Sequence, residues 1–312
     1  MIEPAKGLGQ CRRGVCLSFL SYSLLIITML WSLNVKAEAP VLFVDSELTV
    51  GYDDNLSQAE RERDTVEDHF LEAQLGLLYN HEINFNAAVS FKGFLSGQAF
   101  ETADSLNRGS AGLEASLRYQ PTFGFLAPFY RLTLTAQLDE YDSEQRDSDI
   151  LKAQLSGTKR ITDKLTGTLG AEYRYRDSEG SVWDNKDWRF FINGDLMLTK
   201  RLALYSTYSF LTGDVTSSAQ VTFCNGLAAD DIYGLIQSST AIEFDDAFSN
   251  DFCGDWVAYR LDGTTNAIMT GLNYGFNHSV SLDASMLWAS INGDGDNDYY
   301  RRVYRFSLLA RF

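Results

Sequence analysis

Five stretches of this chain each carry an apolar face without a single charge and, one residue out of phase, a face that does carry charge. One set is Leu71, Ala73, Leu75, Leu77 and Tyr79; the others are Ala111, Leu113, Ala115, Leu117 and Tyr119, then Tyr130, Leu132, Leu134, Ala136 and Leu138, then Leu165, Gly167, Leu169, Ala171 and Tyr173, then Val280, Leu282, Ala284, Met286 and Trp288. The opposite phase holds Glu72, then Glu114 and Arg118, then Arg131 and Asp139, then Glu172, Arg174 and Arg176, then Asp283. Side chains alternate across a strand with period two, so these stretches are strands with one oily and one polar face. Alternation alone admits two folds. A water-soluble sandwich turns the oily faces inward; a closed barrel in lipid turns them outward and keeps the polar faces inside.

The order of strands and connections separates the two. With 24 Gly, 4 Pro and 13% aromatic residues, and with no sustained 3.6-residue apolar period, the chain reads as about 12 strands. They are predicted at 43–53, 69–79, 83–95, 111–119, 129–141, 150–159, 165–176, 188–198, 202–211, 267–276, 280–291 and 299–312. Short connections at 80–82, 120–128, 161–164, 199–201 and 277–279 alternate with long ones at 54–68, 96–110, 142–149, 177–187, 212–266 and 292–298. Sorting loops by length onto two ends is expected of a membrane barrel, and Tyr79, Tyr119 and Tyr130 fall at strand ends, where an interfacial girdle lies. The first strand rises from the short-turn side and the last returns to it. Their pairing would close the ring and bring Asp45 and Glu47 near Arg311, and Asp53 near Arg301.

The last fourteen residues put Tyr304, Phe306, Leu308, Ala310 and Phe312 on one face and Arg301, Arg305, Ser307 and Arg311 on the other. This stretch resembles the C-terminal signature strand of bacterial outer-membrane β-barrel proteins. The resemblance implies an all-β fold, a transmembrane antiparallel up-and-down barrel with short periplasmic turns and long extracellular loops. It further implies that the barrel-assembly machinery reads Tyr304, Phe306, Leu308 and Phe312, that outer-membrane lipid and lipopolysaccharide surround the barrel, and that the Gram-negative outer membrane is its location. Gly51-Tyr52-Asp53-Asp54-Asn55 is similar to a motif of barrels associated with exopolysaccharide or surface-lipoprotein export.

The apolar run 15–33, preceded by Lys6, Arg12 and Arg13 and followed by Val35-Lys36-Ala37, predicts a cleaved signal peptide over 1–37 and a barrel over 38–312. Cys11 and Cys16 leave with it. So do four basic residues and one acidic residue, which moves the net charge from −16 to −19 and disfavours nucleic acid as a partner. Cys224 and Cys253 remain, a pair expected to form a disulfide in an oxidising compartment.

The expected lumen lining is Glu72, Lys92, Glu114, Arg118, Arg131, Asp139, Lys152, Glu172, Arg174, Arg176, Arg189, Asp195, Asp283, Arg301 and Arg305. Such a mildly cationic, hydrated interior suits a porin-like channel for small hydrophilic solutes. The competing class is a non-conducting barrel that displays the disulfide-bonded 212–266 loop at the surface. Asp294, Asp296 and Asp298 have the spacing of a calcium loop, with Tyr299 where that loop has Gly and Arg305 where it has the bidentate Glu. Catalysis is not expected: His278 and His81 fall in predicted short turns, and only Glu67-Asp68-His69 with Asp53-Asp54 could form an acid–His group at the rim.

Overall fold

The computed structural model describes residues 41–229, 232–295 and 297–312. The predicted signal peptide and Asp296 lie outside them. The strands are β1 Val41–Asp53, β2 Asp68–Asn84, β3 Ala87–Phe100, β4 Arg108–Tyr119, β5 Phe129–Tyr141, β6 Ser148–Arg160, β7 Leu165–Ser178, β8 Asn185–Met197, β9 Leu202–Thr222, β10 Ala241–Phe244, β11 Asp255–Gly275, β12 Val280–Gly293 and β13 Asn297–Arg311. Each pairs antiparallel with the next, β9 skips the short β10 to pair with β11, and β1 pairs with β13. The result is a closed up-and-down ring of twelve strands, with β10 attached to β11 outside it.

The uncharged phases face outward, as in Leu71, Leu113, Leu132, Leu169, Phe306 and Leu308, all of which are exposed. An aromatic belt rings each end of this surface. Tyr119 and Tyr130 are cross-strand partners near the short turns, with Tyr274 against Phe276 at 5.3 Å between ring centres. Toward the long loops Tyr173 lies 5.0 Å from Trp188 and Trp288 stacks on Tyr300 at 5.8 Å. Apolar side chains that water would reject are thus displayed as a band, the arrangement lipid stabilises.

Three sequence expectations need correction. The first turn lies at 85–86, not 80–82, because Asn80, His81 and Glu82 stay in the ladder opposite Ser90, Val89 and Ala88. Their polar side chains mark the exit from the apolar band rather than the end of the strand. The 292–298 connection is a tight turn, with β12 running to Gly293 and β13 starting at Asn297. The third concerns 212–266. About half of that predicted loop is strand: β9 and β11 stay paired from Leu202 with Tyr274 up to Thr222 with Asp255, well above their neighbours. Gly213, at φ +143°, marks the rim; a Cβ there would meet the Lys186 carbonyl oxygen at 2.1 Å, so the crossing of β9 past β8 requires glycine.

Above the rim this two-stranded blade carries a cap, residues 223–254, which holds helices α1 (Tyr233–Ser238) and α2 (Asp246–Asp251) and strand β10. Cys224 and Cys253 are disulfide-bonded at its base, with Cα atoms 5.1 Å apart and a sequence separation of 29. A cross-link of that span lowers the entropy of the unfolded segment by about 3.5 kcal/mol on the loop-closure estimate. The free side of the blade is not left open. Asn185 Nδ2 donates to the Asp214 carbonyl, Ser218 N to the Ser57 carbonyl, and Ala229 N to the Val221 carbonyl.

Candidate functional site: the lumen and its cap

In ring order, β3 and β4 stand diametrically opposite the β9–β11 pair. Yet Ser105, in the β3–β4 loop, donates its backbone N–H and its hydroxyl to Asp251 of the cap at 2.8 and 2.9 Å. The cap therefore crosses the mouth. Beneath it Phe248 and Trp256 pack with Val66 and Leu106 of two facing loops, which removes apolar surface from water on both sides of the opening. The β7–β8 loop is tied as well, since Ser181 Oγ donates to Glu243 at 2.6 Å.

Asp245 is the hub of this closure. It is fully buried, accepts two bonds from Arg146 Nη2 at 2.9 and 3.0 Å, one from Ser218 Oγ at 2.6 Å, and caps α2 through Phe248 N. The Arg146 guanidinium in turn lies 3.6 Å over the Trp183 ring. The β5–β6 loop, β9 and α2 meet at one carboxylate.

The loops themselves repeat one device. A single turn of 3-10 helix ends on a residue whose side chain accepts the N–H near the end of the preceding strand: Asn107 from Phe100, Asp147 from Tyr141, and Asp184 from Ser178, at 2.7 to 2.8 Å. Asp68 does related work, accepting from Thr102 N and Ala103 N. Several of the loop carboxylates are thus spent on loop backbone. Asp64 differs: it is buried, with Arg63 Nε at 3.5 Å, and burial holds its carboxyl above the usual carboxylate range. A raised carboxyl favours the fold at low pH and loses that contribution as pH rises through its own value. Hydrogen exchange of the 54–67 loop should therefore quicken with pH more in the native protein than in Asp64→Asn.

The Gly51–Asn55 motif is a latch between β1 and β13. A Cβ on Gly51 would meet the Phe70 ring, Tyr52 donates its hydroxyl to Glu67 at 2.5 Å, and Asp54 accepts from Arg302 N at 2.6 Å. Asp53 accepts from Arg301 Nε through both oxygens at 3.0 Å, and Asn55 bonds the Ala59 and Tyr300 carbonyls. Asp45 pairs with Arg311 at 2.6 Å as expected, whereas Glu47 accepts instead from Thr49. At the rim Asp68 faces Asp53 across the ladder, but both carboxylates are engaged, and His69 lies against Tyr52 at 5.0 Å.

Below the cap is a cavity of 780 Å³. Lys152, Glu172, Arg174, Arg176, Arg189, Arg301 and Arg305 of the expected lining reach it. Glu72, Lys92 and Glu114 line a second cavity of 340 Å³, which shares Arg108, Lys152 and Glu172 with the first. The two are successive compartments of the lumen. Arg118 and Arg131 line neither; they face each other across β4 and β5 near the short turns. Asp195 sits at that end opposite Thr166 and Tyr205, and Asp283 accepts from the Tyr205 hydroxyl at 2.8 Å. Asp139 is buried against Arg108 at 3.6 Å.

Arg108 and Arg146 were hidden from sequence reasoning because both were assigned to loops. Extending the even phase of β4 back from Glu114 finds Arg108; nothing local marks Arg146. In the larger cavity eight basic side chains stand against four acidic ones, Asp53, Glu172, Asp187 and Asp214. Arg174 is paired with Asp187 at 2.6 Å and Arg189 approaches Glu172 at 4.0 Å, while Lys152, Arg176 and Arg305 form no ion pair among the described residues. Of the proposed calcium loop, Asp294 N donates to the Asp262 carbonyl and Asp298 stays in the ladder opposite Asn292. Among the described residues no group of three such ligands converges.

No protein-family model and no curated protein matches the sequence. Solved structures do match. An outer membrane channel from Pseudomonas putida superposes with a TM-score of 0.55 at 12% identity, over 90% of this chain and 97% of that one. A NanC porin aligns with a TM-score of 0.41 at 10% identity over 84% of this chain and 98% of that one, and the translocator domain of the autotransporter NalP from Neisseria meningitidis with 0.39 at 11% over 95% and 98%. Identities this low speak to fold and not to activity. Together with the closed ring, the outward apolar phases and the paired aromatic belts, the similarity to the Pseudomonas channel makes the fold that of a bacterial outer-membrane β-barrel.

Proposed function

We propose that the protein is an outer-membrane channel for small polar solutes, with a preference for anions and a mouth closed at rest by the cap. The observation that carries this reading is the excess of basic over acidic side chains around the larger cavity, with three of the basic groups in no ion pair among the described residues. A fixed positive field inside low-dielectric walls concentrates anions and repels cations. In this reading lipid and lipopolysaccharide contact the outer band, and the exposed Tyr304, Phe306, Leu308 and Phe312 serve the barrel-assembly machinery.

The test is a planar bilayer under a KCl gradient. Small conductance steps are expected, with a reversal potential whose sign favours chloride, and replacing both Lys152 and Arg176 by Glu should bring it to zero or beyond. The cap's span across the mouth also favours a second reading, a non-conducting barrel that presents the cap to the exterior. If neither the native protein nor a form shortened between Cys224 and Cys253 shows steps, that second reading stands.

A further inference from the structure

Five of the eight basic side chains of the larger cavity lie on one arc of the ring, with Arg301 and Arg305 of β13 apart from it. Arg108 on β4, Lys152 on β6, Arg174 and Arg176 on β7 and Arg189 on β8 form a cationic arc. Across from it β9, β11 and β12 supply Leu211, Met269, Leu287, Ala289 and Ile291 to the same cavity. These are inward positions: their neighbours Ile268 and Met286 face outward. An inward run of aliphatic side chains is not what a hydrated pore for inorganic ions requires, because such a wall cannot replace an ion's hydration shell.

At the top of the arc the cavity is lined by Trp183, which is 6% exposed and whose indole N–H has no partner among the described residues. Arg146, which also lines the cavity, likewise has its Nε buried without a partner among the described residues. Buried donors without acceptors are costly, and they leave this corner of the cavity wall short of acceptors. We infer that the cavity binds organic anions that carry an apolar body, aryl or alkyl carboxylates, with the carboxylate toward Lys152, Arg176 and Trp183 and the apolar body against Met269 and Leu287. This inference rests on the anion-channel reading and narrows its solute class.

The experiment is calorimetric titration of the protein in lipid nanodiscs with 4-phenylbutyrate, butyrate and 4-phenylbutanol, with empty nanodiscs subtracting partition into lipid. The phenylbutyrate is expected to bind at least about tenfold more tightly than either half-probe, since burying a phenyl group and pairing a carboxylate are each worth roughly that factor. Leu287→Gln should erase the advantage over butyrate, and Lys152→Gln the advantage over phenylbutanol. Heat-modifiable migration on a gel checks that each variant keeps its barrel, and the native protein's three-probe comparison decides even where a variant does not fold. Phenylbutyrate binding no tighter than butyrate, or no tighter than phenylbutanol, overturns the inference. If chloride preference persists alongside that result, the anion-channel reading survives; if there are no steps or cations are preferred, that reading falls whatever the titration gives.

Discussion

Asp245→Ala is expected to free the cap from the mouth while leaving the twelve-strand ring assembled. The substitution strands Arg146 in a buried position without its counter-ion and removes the acceptor for Ser218 Oγ and the cap of α2. Breaking one side of a buried, hydrogen-bonded pair costs about 3–5 kcal/mol, and the polar ties left at Ser105 and Ser181 hold only the edges of the cap. Cleavage of the 223–254 segment by an added protease should accelerate, and bilayer conductance should rise, while the temperature at which the barrel unfolds on a gel stays put. Replacing the pair together, Arg146→Met with Asp245→Leu, removes both charges and should restore most of the protection. Unchanged cleavage and unchanged conductance in Asp245→Ala would show that the apolar packing of Phe248 and Trp256 alone holds the cap.

The ring itself should yield to a different substitution. Asp53→Ala removes the acceptor for both Nε bonds of Arg301 at the seam where the first strand meets the last. Asp53 is almost wholly buried, so its loss leaves the largely buried Arg301 guanidinium without its carboxylate, again about 3–5 kcal/mol. The gel unfolding temperature should fall, and it should fall further than in Asp45→Ala, whose Arg311 partner is more exposed and screened by water. Equal losses from the two would mean that the seam depends on its backbone ladder alone.

The contrast between these sites explains what could be read from sequence. Period two fixes the face of every ladder residue, so the outward sets, the 129–141 strand and the pairing of Asp45 with Arg311 followed directly. Periodicity carries no information about partners brought together by the closed ring. Asp147 and Asp184 accept N–H groups six residues back, at the end of the preceding strand, a loop closure that period two does not mark, and Asp245 gave no sign that Arg146, nearly a hundred positions away, would find it. The blade was misread for a simpler reason. Gly213-Asp214 and the Ser217-Ser218 pair have low strand propensity, and only pairing with β11 keeps them extended. The apolar wall of the lumen was missed since Leu287 sits between Met286 and Trp288, outward residues that are themselves apolar, which leaves no contrast to read.

The stitched side of the β9 blade bears on how the protein behaves among copies of itself. A strand that rises above its neighbours offers an open row of N–H and C=O groups, and on a crowded surface such a row recruits the same row from the next molecule. Here three backbone groups along it are already taken, by Asn185, by Ser57 and by Ala229, each from a different part of the chain. Loss of one such stitch would do little to stability. It would expose a template for strand addition, so the first sign of damage to these loops should be molecules joining edge to edge rather than molecules coming apart.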